Sequence, residues 1–289
     1  MIVKKTFGNV RLQPLCFQDD VARGSEGVLE AQLGNMFMET MAEQKLLSFN
    51  LKKSQFLVVG NKNNKTKIMN DLSVSPLTLC SQLMQQEKEY TYLGSVISKS
   101  VTESTSASIR KKVGKTKQLI YEIKAVIEDF RNNIPGAAFT GIQIFEMAVL
   151  PYLYSGSENW IELDSNCLKI LSDLHILFYR LLCGAAHSCP TYGLFWELGG
   201  TLPENIVMKN KLLLYFHLAN LPTNSIGYQI FLEERKLNIP KSFTNECLYF
   251  LAVINIKEDD LYSMTKAQFK KVLKTKLEEK NRQDVLTKI

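Results

Sequence analysis

The chain has 289 residues, 45% hydrophobic and 22% charged, with 35 basic and 29 acidic side chains and a net charge of +6. That is enough apolar material for one large or two moderate domains, and it reads as globular rather than disordered. The richest apolar stretch, 142–154, is interrupted by Gln143, Glu146 and Pro151, so no membrane span and no membrane partner are expected.

The opening residues, Met1 to Phe7, lack the long apolar core of a secretory leader. Cysteines 16, 80, 167, 183, 189 and 247 lack short repeated spacing, which fits free thiols in an intracellular protein, nuclear or cytoplasmic, with no disulfide-linked partner. Residues 11–22 are expected to form a strand entering a tight turn that carries the carboxylate pair Asp19 and Asp20. Ser25 to Leu47 is expected to be a helix capped by Ser25, because Val28, Leu29, Leu33, Met36, Phe37 and Met41 recur at helical spacing. Strands are expected at Gln55 to Val59, Leu77 to Met84 and Tyr90 to Ile97, with the polar tract Asn61 to Lys67 as a hairpin loop.

From about Thr105 the period changes to that of helices. Ile109, Val113, Thr116, Ile120, Ile123, Ile127 and Phe130 alternate by four and three, which predicts one long amphipathic helix. Arg110, Lys117, Lys124 and Arg131 recur every seven residues beside that seam and would span roughly 31 Å on a straight helix. Such a line of cations either follows a nucleic-acid backbone or flanks a packed seam in solvent. Gly114-Lys115-Thr116 has the tail of a phosphate-binding loop, but Ile109 replaces its first glycine and no strand leads in, so that reading is rejected. Further helices are expected at 137–150, 164–182, 203–220, 225–236, 243–253 and 265–280, punctuated by prolines. Phe139, Phe145, Phe178, Tyr179, Trp196, Tyr215 and Phe216 are expected in the core, with stacking on nucleic-acid bases as the alternative. In the last helix Lys266, Lys270, Lys271 and Lys274 stand opposite Phe269, Val272, Leu273 and Leu277, giving a basic amphipathic face for RNA, an acidic protein or water. Cys183, His187 and Cys189 have metal-like spacing without a nearby fourth ligand, which favours a thiol-bearing loop over zinc.

Charge is unevenly placed. Residues 44–70 carry six lysines and 104–121 five basic residues, both without an acid, leaving 24 basic against 29 acidic residues elsewhere. Two concentrated positive patches favour a polyanionic partner.

Three motifs occur in order: Phe17-Gln18-Asp19-Asp20, then Asn50-Leu51-Lys52-Lys53-Ser54 before an apolar strand, then Tyr92-Leu93-Gly94. A later stretch, Leu150-Pro151-Tyr152-Leu153-Tyr154-Ser155-Gly156-Ser157-Glu158-Asn159-Trp160, precedes a helix ending in Phe178-Tyr179-Arg180-Leu181-Leu182. Together these resemble the late palm and thumb of non-LTR (LINE-type) retrotransposon reverse transcriptases, over most of the chain. The resemblance implies an α+β fold: a small, mostly antiparallel palm-type sheet with one helix in 1–100, a helical thumb-like region in 101–200 and a C-terminal helical extension in 201–289. It also implies RNA, RNA–DNA or DNA duplex as partners.

By that resemblance Asp19 is the principal ligand of a catalytic Mg²⁺ and Asp20 a second carboxylate. Lys53, beside Lys52, lies near the nucleotide phosphates and protonates leaving pyrophosphate, and Tyr92, Leu93 and Gly94 form the turn that positions the primer end. Gln18 departs from the small or apolar residue of the family. Adjacent carboxylates can serve a hard divalent cation, but a two-metal site needs carboxylates from separate strands, and the family's third aspartate lies earlier than the residues before Asp19 allow. The expectation is therefore a truncated RNA-directed DNA polymerase that holds Mg²⁺ weakly or not at all, binds nucleic acid and is inactive alone. The alternatives are a partial reading of a longer gene that encodes an active reverse transcriptase and a non-enzymatic helical interaction module.

Overall fold

The computed structural model describes the backbone of residues 5–7, 10–12, 15–17, 20–59, 62–92, 95–98, 100–133 and 137–289, and their side chains except at 5–21, 62, 92, 101, 130, 131 and 137–139. Mostly helical with short strands, the chain is of the α+β class and divides into two compact units, Met1–Ser104 and Thr105–Ile289.

In the first unit, strands β1 (Lys5–Phe7) and β2 (Val10–Leu12) pair antiparallel, as do β3 (Leu15–Phe17) and β4 (Asp20–Ala22). Helix α1 (Val28–Gln44) follows. Its cap is Gly27, not Ser25, and it makes no side-chain capping bond. Val28 is buried as its period requires, but Leu29, Leu33, Met36, Phe37 and Met41 are exposed. Strand β5 (Gln55–Phe56) pairs parallel with β8 (Gln85–Gln86). Between them lies helix α2 (Lys62–Val74), which corrects the hairpin loop expected at 61–67 and makes two helices where one was expected. The polar tract is helical because Lys65, Ile68 and Leu72 share one face, half-buried, and only Pro76 forbids continuation.

The run 77–84 is likewise not one strand but a hairpin of β6 (Thr78–Leu79) and β7 (Gln82–Leu83). Cys80 and Ser81 both take positive φ, 49° and 61°, the twist that a two-residue hairpin needs. Helix α1 holds this hairpin through polar side chains one or two turns apart. Gln32 Nε2 donates to Thr78 Oγ1 (2.9 Å) and Gln32 Oε1 accepts from Thr78 N (2.8 Å). Asn35 Nδ2 donates to the Thr78 carbonyl (2.8 Å), and Glu39 accepts from Cys80 N (2.6 Å). The run 90–97 is a second hairpin, β9 (Glu89–Tyr92) with β10 (Ser95–Ser98). Among the described residues the strands stay in five pairs, four of them antiparallel.

The second unit is helical. Helix α3 (Val101–Glu122), which begins just before the unit boundary, and α4 (Lys124–Asn133) replace the single long helix expected, with a one-residue break at Ile123. Backbone bonds still cross the break, from Ile123 N to the Leu119 carbonyl (3.1 Å) and from Ile127 N to the Ile123 carbonyl (3.0 Å). Ile109, Thr116, Ile120 and Ile127 are buried, so the apolar seam is as its spacing predicts. Helix α5 (Ala137–Ile144) passes through a π-turn at Phe145–Val149 into α6 (Leu150–Tyr154). The helix was expected to stop at Leu150. It continues because the widened turn lets Leu150 N reach the Phe145 carbonyl, and Pro151, which has no N–H, falls in the first turn of α6.

The remaining helices are α7 (Ser165–Cys183), α8 (Thr191–Glu197), α9 (Pro203–Ala219), α10 (Ile226–Leu237), α11 (Phe243–Val253), α12 (Glu258–Leu261) and α13 (Lys266–Lys288). Their starts follow cap chemistry: Asp164, Ser225, Ser242 and Thr265 each accept a bond from the backbone N–H three residues on, and Thr265 with Gln268 forms a capping box. Helices α8 and α12 were not anticipated, and α13 runs eight residues past its expected end.

Two apolar clusters fill this unit. One gathers α3 to α9 around Phe145, Phe178, Tyr179 and Phe195. The other gathers α9 to α13 around Tyr215, Phe216, Phe231 and Phe269. Phe139 lies outside the described side chains, and Trp196, expected in the core, is exposed.

Candidate nucleic-acid interface

Asp20, the second residue of the Asp-Asp motif, lies in a pair of antiparallel strands. Antiparallel register sets Leu15 opposite Ala22, Cys16 opposite Val21 and Phe17 opposite Asp20. Only Gln18 and Asp19 separate the last pair, and both lie outside the described residues. Asp20 therefore opens β4. Among the described residues no group of three or more His, Cys, Asp or Glu side chains gathers as a metal site. The position of Asp19 and the side chain of Asp20 lie outside the described set, and a two-metal clamp would need carboxylates from separate strands.

The second motif forms a turn. The Asn50 carbonyl accepts from Lys53 N (2.9 Å), Ser54 N (3.0 Å) and Ser54 Oγ (3.0 Å), which closes residues 50–54 just before β5. Three donors on one carbonyl fix the backbone, so Lys52 and Lys53 project from it into solvent. The third motif again marks a hairpin: Tyr92 pairs with Ser95, and Leu93 and Gly94 lie outside the described residues.

In the second unit the predicted line of cations is only partly as expected. Arg110 and Lys117 are exposed on α3, about 10 Å apart along the axis at 1.5 Å per residue. Lys124 opens α4 and pairs with Glu128 at 3.6 Å, so part of its charge is answered within its own helix. Arg131 sits on α4 with its side chain outside the described set. The four are divided by the one-residue break at Ile123, two on α3 and two on α4. Arg110 also faces Asp164, whose carboxyl is held below its ordinary range mainly by the Cys167 N–H bond (2.6 Å) at the start of α7, with Arg110 adding a smaller share.

A neighbouring lysine has a structural task that the sequence did not signal. Lys112 Nζ donates to the carbonyl and hydroxyl of Ser155, the residue that closes α6. A cation suits the carbonyl end of a helix, and burial lowers the Lys112 pKa. Gly156, at φ 74°, then turns the chain into a short 3₁₀ segment, Ser157–Asn159. Asn210 on α9 donates to Ser157 Oγ (2.7 Å), and Tyr154 and Trp160 are buried. The stretch 150–160 thus joins α3, α6 and α9. The loop with Cys183, His187 and Cys189 is held by Arg180, which donates to the His187 carbonyl at 3.0 Å.

No protein family, curated protein or solved structure matches this chain.

Proposed function

We propose that this chain is a reverse-transcriptase-like polypeptide of the non-LTR retroelement kind, combining the end of a palm with a helical thumb and extension, and that its own activity is to hold nucleic acid. The observation that supports this reading is the antiparallel register of Phe17 opposite Asp20, the two described residues of the aromatic-x-Asp-Asp sequence. The turn at 50–54 and the hairpin at 89–98 follow in the order that the resemblance requires. Nucleotide incorporation would need carboxylates from separate strands besides Asp19 and Asp20.

The test is binding of an RNA–DNA duplex to the purified full chain, followed by fluorescence anisotropy from 50 to 200 mM salt. If Arg110, Lys117, Lys124 and Arg131 each neutralise a phosphate, affinity should fall on the order of 100-fold over that range. Replacing all four by glutamate should abolish the binding. Absence of binding at low salt refutes the proposal. Primer extension by the same preparation, lost in Asp19→Asn, would refute the claim that further carboxylates are needed.

A further inference from the structure

Helices α8, α9 and α13 and the turn after α6 enclose an open groove of about 1470 Å³ within the second unit. Its floor is apolar, with Leu213, Phe216 and Leu277 among the lining residues. Lys266, Lys270, Lys274 and Arg282 line it from α13, and Lys209 from α9, all exposed. These five cations face three carboxylates, Glu146, Glu158 and Glu278, of which Glu278 lies 3.9 Å from Lys274. Three of the lysines follow at intervals of four residues, a rise of about 6 Å per step, within reach of successive phosphates on one strand. Trp196, which also lines the groove, is 44% exposed.

An exposed indole in a cationic groove with an apolar floor suits a flat, partly apolar face whose backbone is anionic. An acidic peptide offers the lysines carboxylates, but it does not pair an anionic backbone with a planar group at every unit. A duplex keeps its base faces stacked inside.

We propose that this groove binds single-stranded nucleic acid, with phosphates along Lys266, Lys270 and Lys274 and a base stacked on Trp196. The assignment rests on the nucleic-acid reading above and concerns a different surface from the α3 and α4 cations.

The chain has two tryptophans, and Trp160 is only 2% exposed, so quenching of fluorescence reports Trp196. Titrating the full chain with oligothymidylate should quench that emission, and Trp196→Phe should remove the change. Trp196→Ala should weaken oligothymidylate binding about fivefold or more, with RNA–DNA duplex binding unchanged. The triple variant Lys266→Gln, Lys270→Gln, Lys274→Gln should lower the slope of log affinity against log salt by about 2, with an unaltered circular dichroism spectrum. Oligothymidylate binding without quenching, or an unchanged slope in the triple variant, overturns the inference. Duplex binding without single-strand binding overturns it too and leaves the preceding reading intact, whereas loss of both refutes that reading as well.

Discussion

Lys211 has no exposed side-chain surface, yet it carries a charge in the second apolar cluster. Its Nζ meets Glu246 Oε2 at 2.5 Å and lies 6.0 Å from the centre of the Phe250 ring, tying α9 to α11. Glu246 keeps about a fifth of its side chain in water, with a relative exposure of 21%, so the two residues contribute unequally. Removing Glu246 strands an ammonium in an apolar site, and for a buried pair broken on one side the loss is about 3–5 kcal/mol. Because solvent already screens part of this carboxylate, the lower end of that range is expected for Glu246→Ala. Replacing Lys211 by Met removes the charge together with its desolvation penalty and keeps the volume, so stability should stay within about 1 kcal/mol of the parent or rise. Urea unfolding followed by circular dichroism reads both variants. Equal destabilisation by the two substitutions would show that attraction outweighs desolvation and would refute this argument.

Two further outcomes concern the first cluster. Burial pushes the His175 imidazole down to about 3 from its ordinary 6.5, with Tyr154 Oη 2.9 Å from Nε2 and Nδ1 without a partner. The folded state therefore binds fewer protons than the unfolded state between those values. This group's contribution to stability is complete above pH 6.5 and is lost as the pH falls toward 3, by up to about 1.4 kcal/mol per pH unit. Urea midpoints measured from pH 7 to 4 should show that slope, and His175→Phe should flatten it. Gly200 is the other case: a Cβ there would lie 2.4 Å from the Tyr179 hydroxyl, whose ring is buried. Gly200→Ala should cost about 1–3 kcal/mol by overpacking, visible as a lower melting temperature, whereas Tyr179→Phe in the same background should restore part of it.

Helices of the second unit were legible where cap and period agree, as at Asp164 before α7 and Thr265 before α13. They were misread where one residue overruled the pattern. Pro151 looked like a terminator, but a π-turn upstream absorbs its missing donor. The seam of α3 and α4 was correct in its buried positions and silent about the break at Ile123, because spacing does not report a local distortion. In the first unit the apolar runs 77–84 and 90–97 hid reversals: Cys80 and Ser81 adopt positive φ without glycine, and Glu39, forty-one residues away, supports that turn. Of the candidate sites, the motif positions could be read directly, because turns and hairpins are local. The groove could not, since it exists only once α8, α9 and α13 are brought together. Its one signal in the sequence was the lysine spacing of α13.

Helix α13 threads both apolar clusters: Phe269, Leu273 and Leu277 belong to one and Val285 to the other. Near its far end Asn281 accepts from Leu202 N (2.9 Å) and Asn205 Nδ2 (3.1 Å) and donates to the Gly200 carbonyl (2.9 Å). The helix thus works as a strut bolted at both ends, with its lysines on the outer side. Anything that grips those lysines loads both bolts at once, so amide exchange should slow together in the two clusters, which α9 also joins.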